Sequence, residues 1–282
     1  MKIYKTVRGL QRALEVALKS HKKIGFIPTM GALHKGHISL LKNAQTSSDI
    51  TVFSIFVNPT QFNEKADLQK YPRTLKADAD LLRKYHCDFL FVPRVSQIYP
   101  KGIDLSVDLD LSQLTQHMEG PNRPGHFEGV VQVVHRLVTI VNPDLIYMGQ
   151  KDFQQFTIVD YMLRSLKMKT KLVVCPIKRE DDGLAMSSRN VRILKSIRPN
   201  CHLIYDTLKF VKDNLNKYTA KTLEKKALDR LNQKPFKPEY FSLVDGFSLK
   251  PVKKITDHSY IVACTAVWAK DVRLIDNMIL KN

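Results

Sequence analysis

The feature that most constrains the fold is an alternation of short apolar runs with helical patterns through the first two thirds of the chain. Five runs are apolar on both faces, as is typical of central strands in a covered parallel sheet. Helical patterns lie between them, and this alternation predicts right-handed crossovers in a doubly wound, Rossmann-like α/β sheet. The predicted strands are Lys23–Thr29, Ile50–Val57, Asp88–Val92, Asp144–Met148 and Lys171–Ile177. The predicted helices are Ile38–Gln45, Leu75–Tyr85, Gly129–Val141 and Phe153–Leu166.

The pattern changes after about residue 180, where helices are followed by antiparallel strand signals. We expect helices at Ile197–Asn214 and Thr222–Leu231, then strands at Tyr240–Val244, Tyr260–Val267 and Val272–Ile275. This order predicts a smaller α+β domain. The predicted domains are therefore residues 1–177 and residues 178–282.

Composition excludes several classes of protein. The sequence has no apolar run long enough for a membrane span and no N-terminal signal core, so we expect a cytoplasmic protein. Its four cysteines lie too far apart in sequence for paired zinc ligands and are expected to be reduced, mostly buried thiols. The net charge is +18, which indicates anionic partners or simply a solvated basic surface. The sequence contains no block of consecutive basic residues that would favour anionic partners over a solvated surface.

In parallel sheets, ligands bind beyond the carboxyl ends of the strands, so the loops that follow the strands are the candidate sites. The first predicted strand leads into the sequence PTMGALHKGH, residues 28–37. Its glycines permit a tight turn, and His34 and His37 lie on one face at the start of a helix. Free backbone N–H groups and the helix dipole make this a site for phosphates; two surface histidines beside a turn are the alternative.

The next loops add neutral and acidic side chains. Asn58 and Gln61, after the second strand, carry amides that both donate and accept, as recognition of hydroxyl and carboxylate groups requires, although an ordinary turn also explains them. Asp78 and Asp80 begin a helix, where they either complement the helix dipole or bind Mg²⁺. Arg123 belongs to a rigid turn, Arg-Pro-Gly-His-Phe, for which structural and functional interpretations are both open.

Two later loops carry charge. In Met148–Gln155, Lys151 offers a compact positive charge for phosphate, and Asp152 either accepts from ribose hydroxyls or caps a helix. In Arg179–Asn190, two serine hydroxyls and Arg189 form a candidate phosphate clamp, with a solvated linker as the alternative.

Together these segments resemble the pantothenate synthetase family, the ligases that join pantoate to β-alanine. The matching stretches are PTMGALHKGH, SIFVNPTQF, YPRT, RPGHFEGV, KDFQQ, GLAMSSRN and RLIDN, which together span nearly the whole chain. His34–His37 resembles the HIGH motif of the wider nucleotidylyltransferase superfamily, and Met186–Arg189 the counterpart of its KMSKS loop.

The resemblance implies an ATP-dependent ligation through a pantoyl adenylate, with Mg²⁺ and in a homodimer. It implies that catalysis involves His37, His34, Lys151 and Arg189. It implies that ATP is bound by Met30, Gly31, His34, His37, Gly149, Gln150, Lys151, Asp152, Lys178, Met186, Ser187, Ser188 and Arg189. It implies that pantoate and β-alanine are bound by Gln61, Gln155, Asn58 and Arg123, and that Asp78 lies near the metal. The smaller domain would act as a lid.

Two other functions compete with this interpretation. Another adenylate- or cytidylate-transferring enzyme of the superfamily would also carry the two histidines, but the Gln61 and Gln155 segments favour a small hydroxy acid. An RNA-binding module would explain the basic charge. The sequence shows no basic stripe interleaved with aromatic residues, so we expect neither nucleic acid nor membrane as a partner. No step of the implied reaction accounts for a charge of +18.

Overall fold

The computed structural model describes residues 1–62 and 65–282, without the side chains of residues 65–67. This part of the chain forms two compact units. Unit 1 contains Met1–Leu111, Arg123–Gly149 and Gln155–Pro176; unit 2 contains Ser112–Asn122, Gln150–Gln154 and Ile177–Asn282. Unit 2 thus includes two short segments that the sequence analysis placed in the first domain, whereas the proposed boundary at residues 177 and 178 stays a prediction.

Unit 1 is built on a parallel sheet whose strands alternate with helices, which confirms the predicted fold class. Within the described residues the sheet has six strands in the order β1-β4-β3-β2-β5-β6. The strands are β1 Lys2–Tyr4, β2 Ile24–Thr29, β3 Ile50–Ile55, β4 Phe89–Phe91, β5 Leu145–Gly149 and β6 Lys171–Cys175. The helices that begin in this part of the chain are α1 Val7–Lys19, α2 Lys35–Ser47, α3 Lys65–Lys70, α4 Leu75–Lys84, α5 Val95–Ile98 and α7 His126–Val141.

The strand order reverses at β2, which positions the candidate site. From β2 the chain adds β3 and then β4 on one side, and β5 and then β6 on the other. Gly25 of β2 pairs with Thr51 on one side and with Leu145 on the other. The loop that leaves β2 therefore begins at the topological switch point, where open α/β sheets bind ligands.

One part of the core of unit 1 lies between α2, α4 and the sheet. It contains Ile27, Leu41, Phe53, Leu82 and Leu90, all fully buried. Ile27, Phe53 and Leu90 come from the runs that are apolar on both faces, which is why the sequence located the central strands. Leu41 and Leu82 lie on α2 and α4 and pack against them.

Unit 2 contains α6 Glu119–Asn122, α9 His202–Asp213, α10 Ala220–Leu231 and a three-stranded antiparallel sheet, in the order β7-β8-β9. The strands are β7 Phe236–Asp245, β8 Ile261–Ala269 and β9 Val272–Lys281. Helix α8, Phe153–Ser165, begins in unit 2 and continues in unit 1. The two long helices bury leucines such as Leu208 and Leu223 in one core with Leu243 and Leu274 of the sheet. This confirms the predicted smaller α+β fold.

Among the helices of the described ranges, none combines the length and the apolar character needed to cross a bilayer.

The four cysteines are free thiols and all are at least 96% buried, at Cys87, Cys175, Cys201 and Cys264. Burial raises the pKa of the Cys87 thiol to about 12 and that of Cys175 to about 11. Because the thiolate is the reactive form, we expect no reaction with DTNB in the native protein and four equivalents of thiol after unfolding in guanidinium chloride. A cysteine that reacts quickly in the native protein would contradict the buried arrangement.

Candidate active site

The loop that leaves β2 is held in a left-handed turn by a buried carboxylate. Gly31 and Ala32 have φ angles of 87° and 52°, and a Cβ atom on Gly31 would lie 3.0 Å from Ile55 Cγ2 and 3.2 Å from Asp78 Oδ2. Asp78, 3% exposed, accepts the N–H of Ala32 on Oδ2 at 3.0 Å and that of Leu33 on Oδ1 at 2.8 Å. Glycine and aspartate together therefore fix the backbone that leads to the histidines.

The two predicted histidines are brought together at the start of α2. His34 Nδ1 accepts from the Gly36 N–H at 3.1 Å, and His37 Nδ1 accepts from the His34 N–H at 3.2 Å, which forms a capping box. Their ring centroids are 4.1 Å apart. Because each Nδ1 accepts a backbone proton, the neutral rings carry their own proton on Nε2. The helix start thus combines two imidazole N–H donors with the positive end of the helix dipole.

The second predicted pair, Asn58 and Gln61, forms one buried amide network. Asn58, 1% exposed, donates from Nδ2 to Gln61 Oε1 and to the Gly129 carbonyl, both at 3.2 Å. Its Oδ1 accepts from the Tyr99 hydroxyl at 2.8 Å. Gln61 Nε2 in turn donates to Met30 Sδ at 3.0 Å. Asn58 therefore orients Gln61, and this network links it to Met30 in the loop after β2.

Helix α7 supports this network from the side. His126 Nδ1 lies 2.8 Å from the Gln61 carbonyl oxygen, and a Cβ atom on Gly129 would lie 2.4 Å from the Thr60 carbonyl oxygen. Glycine at position 129 is thus required for the close approach of the helix to the Pro59–Gln61 turn. The other two predicted substrate residues, Arg123 before α7 and Gln155 on α8, are half-buried.

Sequence reasoning did not assign a role to Tyr99, His126 or Gly129. His126 and Gly129 lie in the RPGHFEGV segment. That segment marked the region as a candidate site, but only Arg123 in it was assigned a role. Tyr99 lies 41 positions from the asparagine that it contacts and has no local motif. Burial raises the pKa of its phenol, which keeps the hydroxyl protonated as a donor to Asn58.

The described residues offer little for a protein-bound metal. They contain no group of three or more His, Cys, Asp or Glu side chains that could hold a metal ion. Asp78, the predicted ligand, uses both oxygens on backbone N–H groups and also accepts from the Thr74 hydroxyl at 3.1 Å. Asp78 therefore serves first to hold the loop, and a Mg²⁺ ion here would need further oxygen ligands from a bound phosphate.

In unit 2, the predicted lysine loop is fixed from the C-terminal strand. The loop Gln150–Gln154 directly follows Gly149, the last residue of β5. Lys151 Nζ lies 3.7 Å from Asp152 Oδ1, and the exposed fractions of the two side chains are 18% and 48%. The backbone carbonyl groups of Gln150 and Lys151 both accept from Asn277 of β9.

The predicted clamp is a tight hairpin followed by a turn. The Met186 N–H donates to the Lys178 carbonyl at 3.0 Å, and Gly183 has a φ of 89° at the tip. Met186 is buried and Lys178 is exposed. The turn places Ser187 Oγ 3.2 Å from the Arg189 N–H that it accepts, so the half-buried Ser187, Ser188 and Arg189 form one short segment.

Comparison with known proteins decides the family. The family model described as pantoate-beta-alanine ligase matches residues 2–279. The chain belongs to this ligase family. ATP-dependent ligation of pantoate to β-alanine is the function of the family, which confirms the prediction that the chain is a ligase.

Individual relatives match this chain over its whole length. A pantothenate synthetase of Azobacteroides pseudotrichonymphae is 46% identical over 281 residues and covers 99% of both chains. The structure of pantothenate synthetase from Thermus thermophilus is 35% identical, with a TM-score of 0.93 and full coverage of both chains. A pantoate-beta-alanine ligase from Francisella tularensis, complexed with beta-gamma ATP and β-alanine, is 34% identical, with a TM-score of 0.82 and coverage of 99% and 98%.

Proposed function

We propose that this chain joins pantoate to β-alanine, with cleavage of ATP to AMP and pyrophosphate, through a pantoyl-adenylate intermediate. The observation that carries the proposal is the pair His34 and His37. Both rings cap the start of α2 through Nδ1, and both carry their proton on Nε2, in the loop that leaves the sheet at its topological switch point. Such a group of neutral donors suits a triphosphate and the charge that develops on it.

In the first step, a carboxylate oxygen of pantoate attacks the α-phosphorus of ATP. The bond between the α-phosphorus and the bridging oxygen breaks, and pyrophosphate leaves with that electron pair. Because both reactants are anions, the site must offset their repulsion, chiefly by positioning and electrostatics. We assign this task to His34, His37, Lys151 and Arg189.

In the second step, the amine of β-alanine attacks the acyl carbon of the intermediate. The bond from that carbon to the AMP oxygen breaks, AMP leaves, and the nitrogen loses a proton as the amide forms. The acyl adenylate must be kept from water between the two steps. Because of this requirement, we propose that the smaller domain acts as a lid.

The remaining assignments follow the family resemblance. Gln61 is proposed to bind pantoate, because Asn58 and the buried network fix the orientation of its amide. Asn58 would then contribute to pantoate binding indirectly, through Gln61. Gln155 and Arg123 are proposed for the two small substrates. The proposed nucleotide contacts are Met30, Gly31, Gly149, Gln150, Asp152, Lys178, Met186, Ser187 and Ser188.

Mg²⁺ is proposed to accompany ATP, where it would neutralise phosphate charge. Asp78 is the residue proposed to lie near it, although its contacts make loop support its main task. The homodimer rests on the resemblance alone and the cytoplasmic location on the composition of the sequence, and both stay predictions.

Pyrophosphate release from ATP, with Mg²⁺ and pantoate, tests the proposal directly. We expect slow release with pantoate alone, continuous turnover when β-alanine is added, and equimolar pantothenate and AMP. Release that β-alanine does not accelerate would contradict the second step. No release under either condition would contradict the ligase assignment of this chain.

A further inference from the structure

A buried asparagine on the C-terminal strand controls the backbone of the lysine loop. Asn277, 1% exposed, donates from Nδ2 to the Gln150 carbonyl at 2.9 Å and to the Lys151 carbonyl at 2.8 Å. Its Oδ1 accepts from Gln150 Nε2 at 3.1 Å. The opposite orientation of the amide would direct its oxygen at two carbonyl oxygens, so this pattern defines a single arrangement.

The preceding residue holds the second loop of the same unit. Asp276, 4% exposed, accepts from both terminal nitrogens of Arg179, at 2.6 and 3.0 Å. Arg179 also donates to the Gly183 carbonyl at the tip of the hairpin, at 2.9 Å. The Asn277 N–H donates to Asp276 Oδ1 at 2.7 Å, so the two side chains form one connected group.

We propose that Asn277 is a positioning residue for the ligase reaction, which places Lys151 by fixing its backbone. This inference rests on the proposed function and adds to it Asn277, the last residue of the RLIDN stretch, to which the resemblance assigned no role. A small displacement of a catalytic group costs up to about 100-fold in rate, and one buried amide fixes two consecutive carbonyl groups here.

Asn277→Asp is the sharpest test, because it keeps the shape of the side chain and replaces both N–H donors with a carboxylate oxygen. We expect kcat/KM for ATP to fall about 10- to 100-fold. Asn277→Ala removes the same bonds without adding a charge. If the aspartate variant does not fold, kcat/KM for ATP is measured in the alanine variant instead. The matched control is Thr265→Val on β8, which removes a buried hydrogen bond from Thr265 Oγ1 to the Tyr240 carbonyl of β7 and none of the hydrogen bonds of Asn277.

A double variant separates positioning from a general loss of stability. If Asn277 acts through Lys151, then Lys151→Ala with Asn277→Ala should be no slower than Lys151→Ala alone. Losses that multiply, or a loss in Thr265→Val equal to that in Asn277→Ala, would overturn the inference.

Hydrogen–deuterium exchange gives a readout that does not depend on activity. We expect faster exchange in the peptide that covers Gln150–Gln154 in Asn277→Ala, and no change there in Thr265→Val. Unchanged exchange in Asn277→Ala would overturn the positioning role even in an active ligase. A wild-type chain that forms no pantothenate would instead contradict the proposed function, and the exchange result would still decide whether Asn277 holds the loop.

Discussion

Replacement of Arg273 by methionine is expected to lower the free energy of unfolding of unit 2 by about 3–5 kcal/mol, the usual cost of removing one partner from a buried ion pair. Arg273, 17% exposed, donates to Glu119 Oε2 at 2.7 Å and to Glu119 Oε1 at 2.9 Å. It also donates to Glu239, from Nε at 2.9 Å and from a terminal nitrogen. Without the guanidinium, two poorly solvated carboxylates face each other.

The charges of this cluster explain the size of the effect. Burial by itself lowers the pKa of Arg273, but the bonds to Glu119 and Glu239 raise that pKa above its ordinary value. Burial and the nearby Glu119 carboxylate raise the pKa of Tyr240, whose hydroxyl donates to Glu119 at 2.8 Å. All partners are therefore matched to a charged arginine, and methionine satisfies none of them.

Trp268 provides the measurement. It is the only tryptophan in the sequence, and its Nε1–H donates to Glu239 at 3.0 Å, so its fluorescence during urea unfolding reports on unit 2. The control is Asp206→Asn, which removes the carboxylate charge from an exposed contact with His202 in the same unit and should change the free energy by less than about 1 kcal/mol. Equal effects in the two variants would show that the Arg273 cluster contributes no more than a surface pair.

The same cluster shows why part of the architecture was beyond sequence reasoning. Glu119 lies 154 positions from Arg273, and their contact joins Ser112–Asn122 to the C-terminal sheet. No local pattern indicates such a pairing. The central strands were predicted within a few residues because burial on both faces leaves a continuous apolar run. Strand β9 extends to Lys281, well beyond the predicted Ile275, because polar residues interrupt its apolar pattern.

Helix α1 was missed although its signal was present. Leu10, Leu14 and Ala17 are buried at helical spacing, and Thr6 caps the helix by accepting from the Gly9 N–H. Strand β1 has only three residues at the sheet edge, too few for a pattern.

The candidate site divides in a similar way between what its motifs indicate and what only tertiary contacts define. Glycines and histidines after β2 located the phosphate site, because backbone turns and helix starts are local features. By contrast, the supporting tasks of Asn58, Asp78 and Asn277 depend on hydrogen bonds to distant backbone groups. The sequence alone therefore does not distinguish a polar motif residue that contacts substrate from one that holds a neighbouring group in place.

Replacement of His37 by alanine is expected to slow adenylate formation about 100- to 1000-fold, the usual cost of removing one donor to developing charge. His37 performs two tasks through different atoms. Its Nδ1 accepts from the His34 N–H at 3.2 Å, and its Nε2 carries the ring proton. Alanine removes both tasks, so it should also cost about 0.5–2 kcal/mol of stability through loss of the cap.

Two conservative variants separate these tasks. Asparagine keeps an acceptor near the position of Nδ1, so His37→Asn should retain stability and remain as slow as alanine. Glutamine keeps an N–H near the position of Nε2, so His37→Gln should lose stability and retain a rate within about 10-fold of wild type, since charge stabilisation needs a donor but no proton transfer. The rate is measured as pyrophosphate release in a single turnover with ATP and pantoate.

The glutamine variant decides between two chemical roles for His37. General acid catalysis contributes typically 10²- to 10⁴-fold, and an amide cannot supply it, so a proton-donating His37 would make glutamine as slow as alanine. The expected recovery with glutamine would instead assign the ring to stabilising the charge on pyrophosphate. His21→Asn is the control, because His21 is exposed in a left-handed conformation, with a φ of 52°, that asparagine tolerates, and its rate should equal that of wild type.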